Sequence, residues 1–402
     1  MCGLMVHKGK GNEEYISYRG RFINRTEING LTFFHSLLPI TGVFTKQPYI
    51  KGDIVCEYNG EIYNHPFKRS DGENIIPLYN KYGLLFANKL DGEFAIALYD
   101  FKTDLALFIT DPFGTKPLWR SGIECSSYHS GVGGRKIEPN TIEGVQISTE
   151  KELFRFNYHK WNWVQYKNNY DDWIEKFKEA VKKRASKDCF IGLSSGYDSG
   201  AIADALNRRR VSYKAYIVEN NENKEILDKR KAFCNHEIVT VSPNIKGVLK
   251  KRVEKVPYIF SSEKEVIDDV ASIGLASICQ LAQKEGRKVL LSGQGADEII
   301  GDYKLYLKQS NFGGVFPEEL HEWENFTGGI QRDYLNKEEY IGGAFSIETR
   351  YPFLDKDLVQ EFLWLKPELK NANYKAPLFE YLTKNNVPFD KDVKRGFNPF
   401  RK

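Results

Sequence analysis

Asp188-Cys189-Phe190-Ile191-Gly192-Leu193 runs straight into Ser194-Ser195-Gly196-Tyr197-Asp198-Ser199-Gly200, and Ala201–Arg209 follows with helical spacing. The short apolar run reads as a buried strand, and the small residues after it as a tight loop that opens a helix. Small side chains let backbone N–H groups close around an anion, and the helix N-terminus adds the positive end of its dipole. Ser194, Ser195 and Ser199 can donate hydroxyl hydrogen bonds to phosphate oxygens. Asp198 repels phosphate unless a cation such as Mg²⁺ bridges the two. The same residues also suit a Ser/Gly-rich turn with Asp as a helix cap. A second junction favours the phosphate reading. Lys288–Leu291 reads as a strand and leads into Ser292-Gly293-Gln294-Gly295-Ala296-Asp297-Glu298, which supplies a second carboxylate, Asp297. Two strand-end loops, each with one Asp, suit a metal-bound polyphosphate held between them.

The flanking sequence extends this pattern. Trp173, Ile174, Phe177, Ala180 and Val181 recur at helical spacing; Tyr213–Val218 reads as a strand and Asn223–Phe233 as a charged helix. Strand, loop and helix repeated in this way predict a parallel α/β sheet with ligands at the strand C-termini. Residues 303–402 read as mostly helical. Residues 1 to about 150 follow a different grammar, with short strands at Leu31–Phe34, Asp53–Tyr58, Phe94–Tyr99 and Leu105–Thr110 and one helix at Asn74–Tyr82. Asn59-Gly60 and Lys102-Thr103-Asp104 follow strands in the manner of hairpin turns. This half is expected to be layered antiparallel sheet. Asn157–Tyr170 mixes polar residues with scattered aromatics and reads as a linker, which places domains at 1–155 and 165–402.

Composition narrows the function classes. The 402 residues are 41% apolar and 14% aromatic, enough for two real cores. Net charge is +4 with Lys and Arg spread along the chain, so no basic stripe for nucleic acid is present. No apolar run approaches the roughly 18 residues of a membrane span. Cysteines 2, 56, 125, 189, 234 and 279 form no CxxC or Cys/His pair, which argues against a metal or disulfide framework and fits a reduced, cytoplasmic compartment.

Cys2 follows Met1 directly. Removal of Met1 would leave Cys2 with a free α-amine, whose unperturbed pKa of roughly 7.7–8.0 lets it accept the thiol proton near neutral pH. The plainer alternative is a chance cysteine in a disordered tail. The other motifs decide against it. Met1-Cys2-Gly3, Arg19-Gly20-Arg21-Phe22, Asn59-Gly60-Glu61-Ile62-Tyr63-Asn64, Asp71-Gly72-Glu73, Leu90-Asp91-Gly92-Glu93-Phe94-Ala95 and Asp111–Leu118 follow in order. SSGYDS, LSGQGADEIIGDY, Ser346–Asp355 and Tyr374-Lys375 come after them. Taken together the chain resembles the glutamine-hydrolysing asparagine synthetase family over nearly its whole length.

The resemblance implies an N-terminal-nucleophile αββα sandwich acting as glutaminase, followed by an α/β parallel-sheet ATP-pyrophosphatase domain of the adenine nucleotide α-hydrolase type. It implies that Cys2 attacks the glutamine amide, that Asn59 and Gly60 form the oxyanion hole, and that Glu61 and Asp71 hold the α-ammonium. Ammonia then passes to the second domain. There ATP sits on Leu193, Ser194, Ser195, Gly196, Asp198, Ser199, Val218, Ser292 and Gly293. Mg²⁺ sits on Asp198 and Asp297, and Lys375 stabilises the phosphate charge. Glu348 and Arg350 shape the pocket of a small carboxylate acceptor, aspartate in the family, with a sugar acid, peptide or modified nucleotide as the alternative. Family members often dimerise. Three departures stand out. Gln294 replaces a carboxylate that can take a proton from ammonia; Leu37 replaces an Arg that grips the glutamine carboxylate, with Lys46 or Arg19 as substitutes; and Tyr197 is expected to crowd the phosphate loop.

Overall fold

The structure is a computed structural model that describes residues 2–220, 222–258, 265–391, 393, 397, 399 and 400. Met1 lies outside the described residues. The chain divides into two units. The first comprises Met1–Lys160, Lys250–Glu254 and Gly342–Glu348; the second comprises Trp161–Leu249, Lys255–Ile341 and Thr349–Lys402.

The first unit is built from strands β1 (Gly3–His7), β2 (Phe22–Ile28), β3 (Leu31–Leu37), β4 (Tyr49–Lys51), β5 (Ile54–Ile62), β6 (Gly92–Asp100), β7 (Leu105–Thr110), β8 (Trp119–Ser121), β9 (Glu124–Ser126), β10 (Arg135–Lys136), β11 (Thr141–Gln146) and β12 (Glu152–Asn157). Its short helices are α1 (Ile75–Tyr82) and α2 (His129–Val132). They form two six-stranded sheets, ordered β10-β8-β9-β1-β3-β2 and β12-β11-β7-β6-β5-β4. Leu4, Val6 and Phe33 of one sheet pack against Val55, Ala97, Tyr99 and Phe108 of the other. On its far face the second sheet buries Cys56, Tyr58, Ile96 and Leu98 against Ile75, Ile76 and Phe86. Both faces of β6 are therefore covered. This explains why Phe94–Tyr99 reads as a continuous apolar run rather than an alternating one.

Asn59-Gly60 is not a turn. β5 continues through both residues to Ile62, and Gly60 pairs with Phe94 of β6. The hairpin between β6 and β7 does turn at Lys102-Thr103-Asp104, where Asp104 takes the left-handed conformation at φ 58°.

The second unit contains α3 (Asp171–Arg184), β13 (Cys189–Gly192), α4 (Tyr197–Arg208), β14 (Lys214–Ile217), α5 (Lys224–Lys231), β15 (His236–Ile238), α6 (Ile245–Arg252), α7 (Val270–Lys284), β16 (Val289–Leu291), α8 (Glu324–Thr327), α9 (Gly329–Gly343), β17 (Glu348–Arg350), α10 (Lys356–Trp364), α11 (Pro367–Asn371) and α12 (Ala376–Lys384). Three of these, α6, α9 and β17, share residues with the first unit. Its sheet runs β15-β14-β13-β16-β17, with β14 and β16 parallel to β13. Chain order reverses beside β13, so the crevice at the ends of β13 and β16 is a topological switch point. β17 interrupts a region whose sequence reads as helical; three residues are too few to show a period. The stretch read as a linker is stitched down in its second half. The N–H groups of Tyr166 and Lys167 both donate to Trp364 O at 2.8 Å, and Tyr170 Oη donates to Leu369 O at 2.8 Å.

Candidate active sites

In the first unit Cys2 lies just before β1 and is buried. Its backbone N–H donates to Asn59 Oδ1 at 3.1 Å. That bond fixes the Asn59 amide and leaves its Nδ2, which is shut off from water, with no hydrogen-bond partner among the described residues. A fixed, unpaired N–H donor beside a thiol suits charge that develops on a substrate oxygen. Gly60 follows with φ 144°, and a Cβ there would lie 1.9 Å from Glu93 O. Only glycine fits that backbone.

Glu61, Asp71 and Glu348 line one narrow cavity with Cys2, Leu37 and Gly60. Asp71 Oδ2 accepts from Tyr58 Oη at 2.6 Å and from Ile62 N–H at 2.9 Å. Burial raises the Asp71 pKa, and these hydrogen bonds pull it back only in part. No Lys or Arg is among the described residues lining this cavity. Arg19 is spent elsewhere. Its Nε donates to Cys2 O at 2.8 Å and its Nη1 to Tyr128 Oη at 3.0 Å, so it braces the nucleophile's backbone. Lys46 lines a different groove, with Phe44, Arg69 and Glu73. Neither therefore stands in for the Arg absent at Leu37.

The sequence reading missed one pair altogether. His35 lies opposite Leu4 in the β1–β3 ladder, on the face that Cys2 shares by the two-residue period. Glu57, two residues before Asn59 on β5, meets it with Oε2 2.6 Å from His35 Nδ1. Burial is the largest influence and opposes the imidazolium, but Glu57 and Cys2 together overcome it and hold the His35 pKa up at about 10.

In the second unit the two strand-end loops converge. A Cβ on Gly293 would lie 2.8 Å from the Asp198 Cβ, so glycine permits this close approach. Lys375 Nζ sits between the loops, 2.6 and 2.7 Å from the two Asp198 oxygens and 3.0 Å from Asp297 Oδ1. Tyr374 Oη donates to Asp297 Oδ1 at 2.5 Å. Lys375 heads α12 in the left-handed conformation, φ 48°. The two carboxylates raise its pKa against the pull of burial. Leu193, Ser194, Gly196, Asp198, Ser199, Val218, Ser292, Gly293, Gln294 and Asp297 all line one cavity of about 510 Å³.

Ser195 does not line that cavity. Its N–H and Oγ donate to Glu222 Oε2 at 2.6 and 2.5 Å. Tyr197 does not crowd the loop either; its buried ring packs on Phe389 and Tyr374, with centroids 4.8 and 5.6 Å away. Arg230, unmarked in the sequence reading, donates from Nη1 to Ser194 O and Gly196 O and from Nη2 to Pro388 O, which fixes the loop from behind. Arg350 is buried and donates to Arg184 O at 3.0 Å; it is not among the residues lining the nucleotide-sized cavity, and Glu348 lies in the Cys2 cavity instead. Among the described residues no group of three or more His, Cys, Asp or Glu side chains is placed to hold a metal. A pair of converging carboxylates nonetheless suits Mg²⁺, which takes one or two protein carboxylates and completes its shell with phosphate and water.

Known proteins match both halves. Residues 38–123 match the glutamine amidotransferase domain, and residues 172–328 match asparagine synthase. A putative glutamine-hydrolysing asparagine synthetase of Methanocaldococcus jannaschii is 26% identical over 92% of this chain and 77% of its own length. The human glutamine-hydrolysing asparagine synthetase is 28% identical over the same shares. Asparagine synthetase B of Escherichia coli is 27% identical over 79% of this chain, which spans only 63% of that relative. The chain is thus an ATP-dependent ligase that carries a glutamine amidotransferase domain. It belongs to the family of glutamine-hydrolysing asparagine synthetases.

Proposed function

We propose that the chain transfers the side-chain amide nitrogen of glutamine to an ATP-activated carboxylate, with aspartate as acceptor and asparagine as product. The meeting of Asp198, Asp297 and Lys375 at the ends of β13 and β16 carries this reading. On this reading the first unit is an N-terminal-nucleophile sandwich over 1–155, and the second an ATP-pyrophosphatase domain over 165–402. No described helix is long and apolar enough to cross a membrane. All six cysteines are free, which supports the cytoplasm as the setting. The homodimer of many family members is the expected assembly.

Cys2 Sγ attacks the side-chain carbonyl of glutamine, its proton passing to the α-amine that Met1 removal exposes. The oxyanion is met by Asn59 Nδ2 and the Gly60 backbone. The C–N bond breaks, ammonia takes a proton and leaves, and water hydrolyses the thioester to glutamate. Glu61 and Asp71 attract the α-ammonium, and Glu348 adds a third carboxylate to the same cavity. In the second unit the acceptor carboxylate attacks the α-phosphorus of ATP and pyrophosphate leaves. Ser194, Gly196 and Ser199 offer donors to the phosphates, Ser195 does so once its N–H and Oγ leave Glu222, and Leu193, Val218, Ser292 and Gly293 take the rest of the nucleotide. Asp198 and Asp297 would hold Mg²⁺, which neutralises phosphate charge when bound. Lys375 balances the charge that builds on the phosphorus oxygens.

Gln294, Leu37 and the cation-free lining of the Cys2 cavity favour a second reading in which another carboxylate is the acceptor. Pyrophosphate release with ATP, Mg²⁺ and amide-labelled glutamine, with and without aspartate, separates the two. Labelled asparagine made only with aspartate supports the first. Glutamate and ammonia without asparagine support the second. Cys2→Ala should abolish use of glutamine and spare use of ammonium.

A further inference from the structure

The amide-forming step needs a proton acceptor, and Gln294 has none to offer. A carboxylate from another element stands beside it. Glu338 on α9 lines the same cavity as Gln294, Ser292 and Gly293. Ser292 Oγ donates to Glu338 Oε1 at 2.9 Å and accepts from the Gln294 N–H at 3.0 Å. One hydroxyl therefore ties the helix carboxylate to the loop where the family's own carboxylate is missing. Glu338 Oε2 is shut off from water and has no hydrogen-bond partner among the described residues, and the same holds for Gln294 Nε2. A carboxylate oxygen left bare in this way is costly, and such exceptions point to a functional demand.

The charged and titratable neighbours are Lys337 and Glu339 on its own helix, Glu298 on the turn after β16, and Cys279 on α7. Burial pushes the Glu338 pKa up to about 7, Ser292 and Lys337 pull it down, and Glu339 and Glu298 push it up. A base with a pKa near the working pH transfers protons efficiently.

We propose that Glu338 is the general base of amide formation, in place of the carboxylate that Gln294 lacks. This rests on the ligase reading above. The nitrogen lone pair of ammonia attacks the acyl carbon of the acyl-adenylate and a C–N bond forms. One N–H proton passes to Glu338 Oε2, the C–O bond to the phosphate breaks, and AMP leaves with that electron pair. Water then takes the proton from Glu338.

The test uses the full-length protein with ATP, Mg²⁺, aspartate and ammonium. Glu338→Gln keeps the shape and the Ser292 contact but cannot accept the proton. Aspartate-dependent exchange of pyrophosphate into ATP should stay within about threefold of the parent, while amide formation falls about 10²–10⁴-fold, the span of general-base catalysis. At constant free ammonia, the acid limb of the parent's pH–rate profile near 7 should vanish in the variant. Adding Gln294→Glu to Glu338→Gln should restore amide formation. Amide formation unchanged in Glu338→Gln overturns the proposal, as does equal loss of exchange and amidation. A parent protein with no aspartate-dependent exchange overturns the aspartate reading and this proposal together, and is recognised without any variant.

Discussion

His35 and Glu57 make a 2.6 Å ion pair, with both side chains sealed between the two sheets of the first unit. Removing one partner leaves a charge buried and unpaired, which costs about 3–5 kcal/mol. Glu57→Gln should lower the denaturant midpoint of the first unit accordingly. The pH dependence has a definite sign. The folded His35 pKa of about 10 lies above its ordinary value near 6.5, so the stability that His35 contributes is full below that ordinary value and is lost progressively as pH rises from there through about 10. Melting scans from neutral to strongly alkaline pH should show this decline in the parent and a flatter profile in Glu57→Gln. Equal slopes would sink the assignment.

Asn59 and Gly60 test the glutaminase half separately. Loss of one oxyanion donor costs about 10²–10³ in turnover, so Asn59→Ala should lose that much glutamine hydrolysis. Ammonium-driven amidation should be untouched, because no residue of the nucleotide-sized cavity changes. Gly60→Ala should match or exceed the loss, since its Cβ would meet Glu93 O at 1.9 Å. A Gly60→Ala protein with parental glutaminase rates would show that this backbone is not needed.

Lys375→Met removes an ammonium that touches both Asp198 and Asp297. Exchange of pyrophosphate into ATP should fall by at least about 10²-fold, and glutamine hydrolysis should persist. The two carboxylates would then repel each other, so added Mg²⁺ should raise the melting temperature of the variant more than that of the parent. An equal Mg²⁺ response in both proteins counts against a shared site.

Asp355 is structural rather than catalytic. Its Oδ1 caps α10 through the N–H groups of Asp357 and Leu358, and its Oδ2 accepts from Arg184 Nη1 at 2.6 Å. Burial works against the charge, but Arg184 and Lys183 prevail and hold its pKa at about 2. That depressed value gives stability above the ordinary carboxylate range, lost as pH falls through about 2. Arg184→Ala should cost about 3–5 kcal/mol in urea unfolding at neutral pH, with the gap closing in strong acid.

The strand–loop–helix runs at Asp188–Arg209 and Lys288–Glu298 were legible because period, small residues and chain order all agree there. The placement of Asp198 and Asp297 on two adjoining strand-end loops was legible for the same reason, since each stands in a local pattern with a chemical cause. Asn59-Gly60 was misread as a turn. The dipeptide has turn chemistry, but the requirement for glycine comes from the neighbouring strand at Glu93, which no local window contains. Glu57, Glu338 and Arg230 were missed for a related reason. Each is one charged residue in an ordinary strand or helix, and its meaning comes from a partner brought close only by folding: His35, Ser292 and the carbonyls of Ser194 and Gly196. Glu348 was read with Arg350 because both stand in the one Ser346–Asp355 motif. Yet successive positions along a chain can serve different cavities.

On the ligase reading, Glu222 bears on how ATP would arrive. Its carboxylate already occupies the Ser195 amide and hydroxyl of the phosphate loop. On that reading, a triphosphate that reached these donors would exchange for a tethered carboxylate rather than fill a bare cradle. Weak, singly charged anions would lose that contest, so the resident carboxylate would act as a threshold that screens ligands by charge.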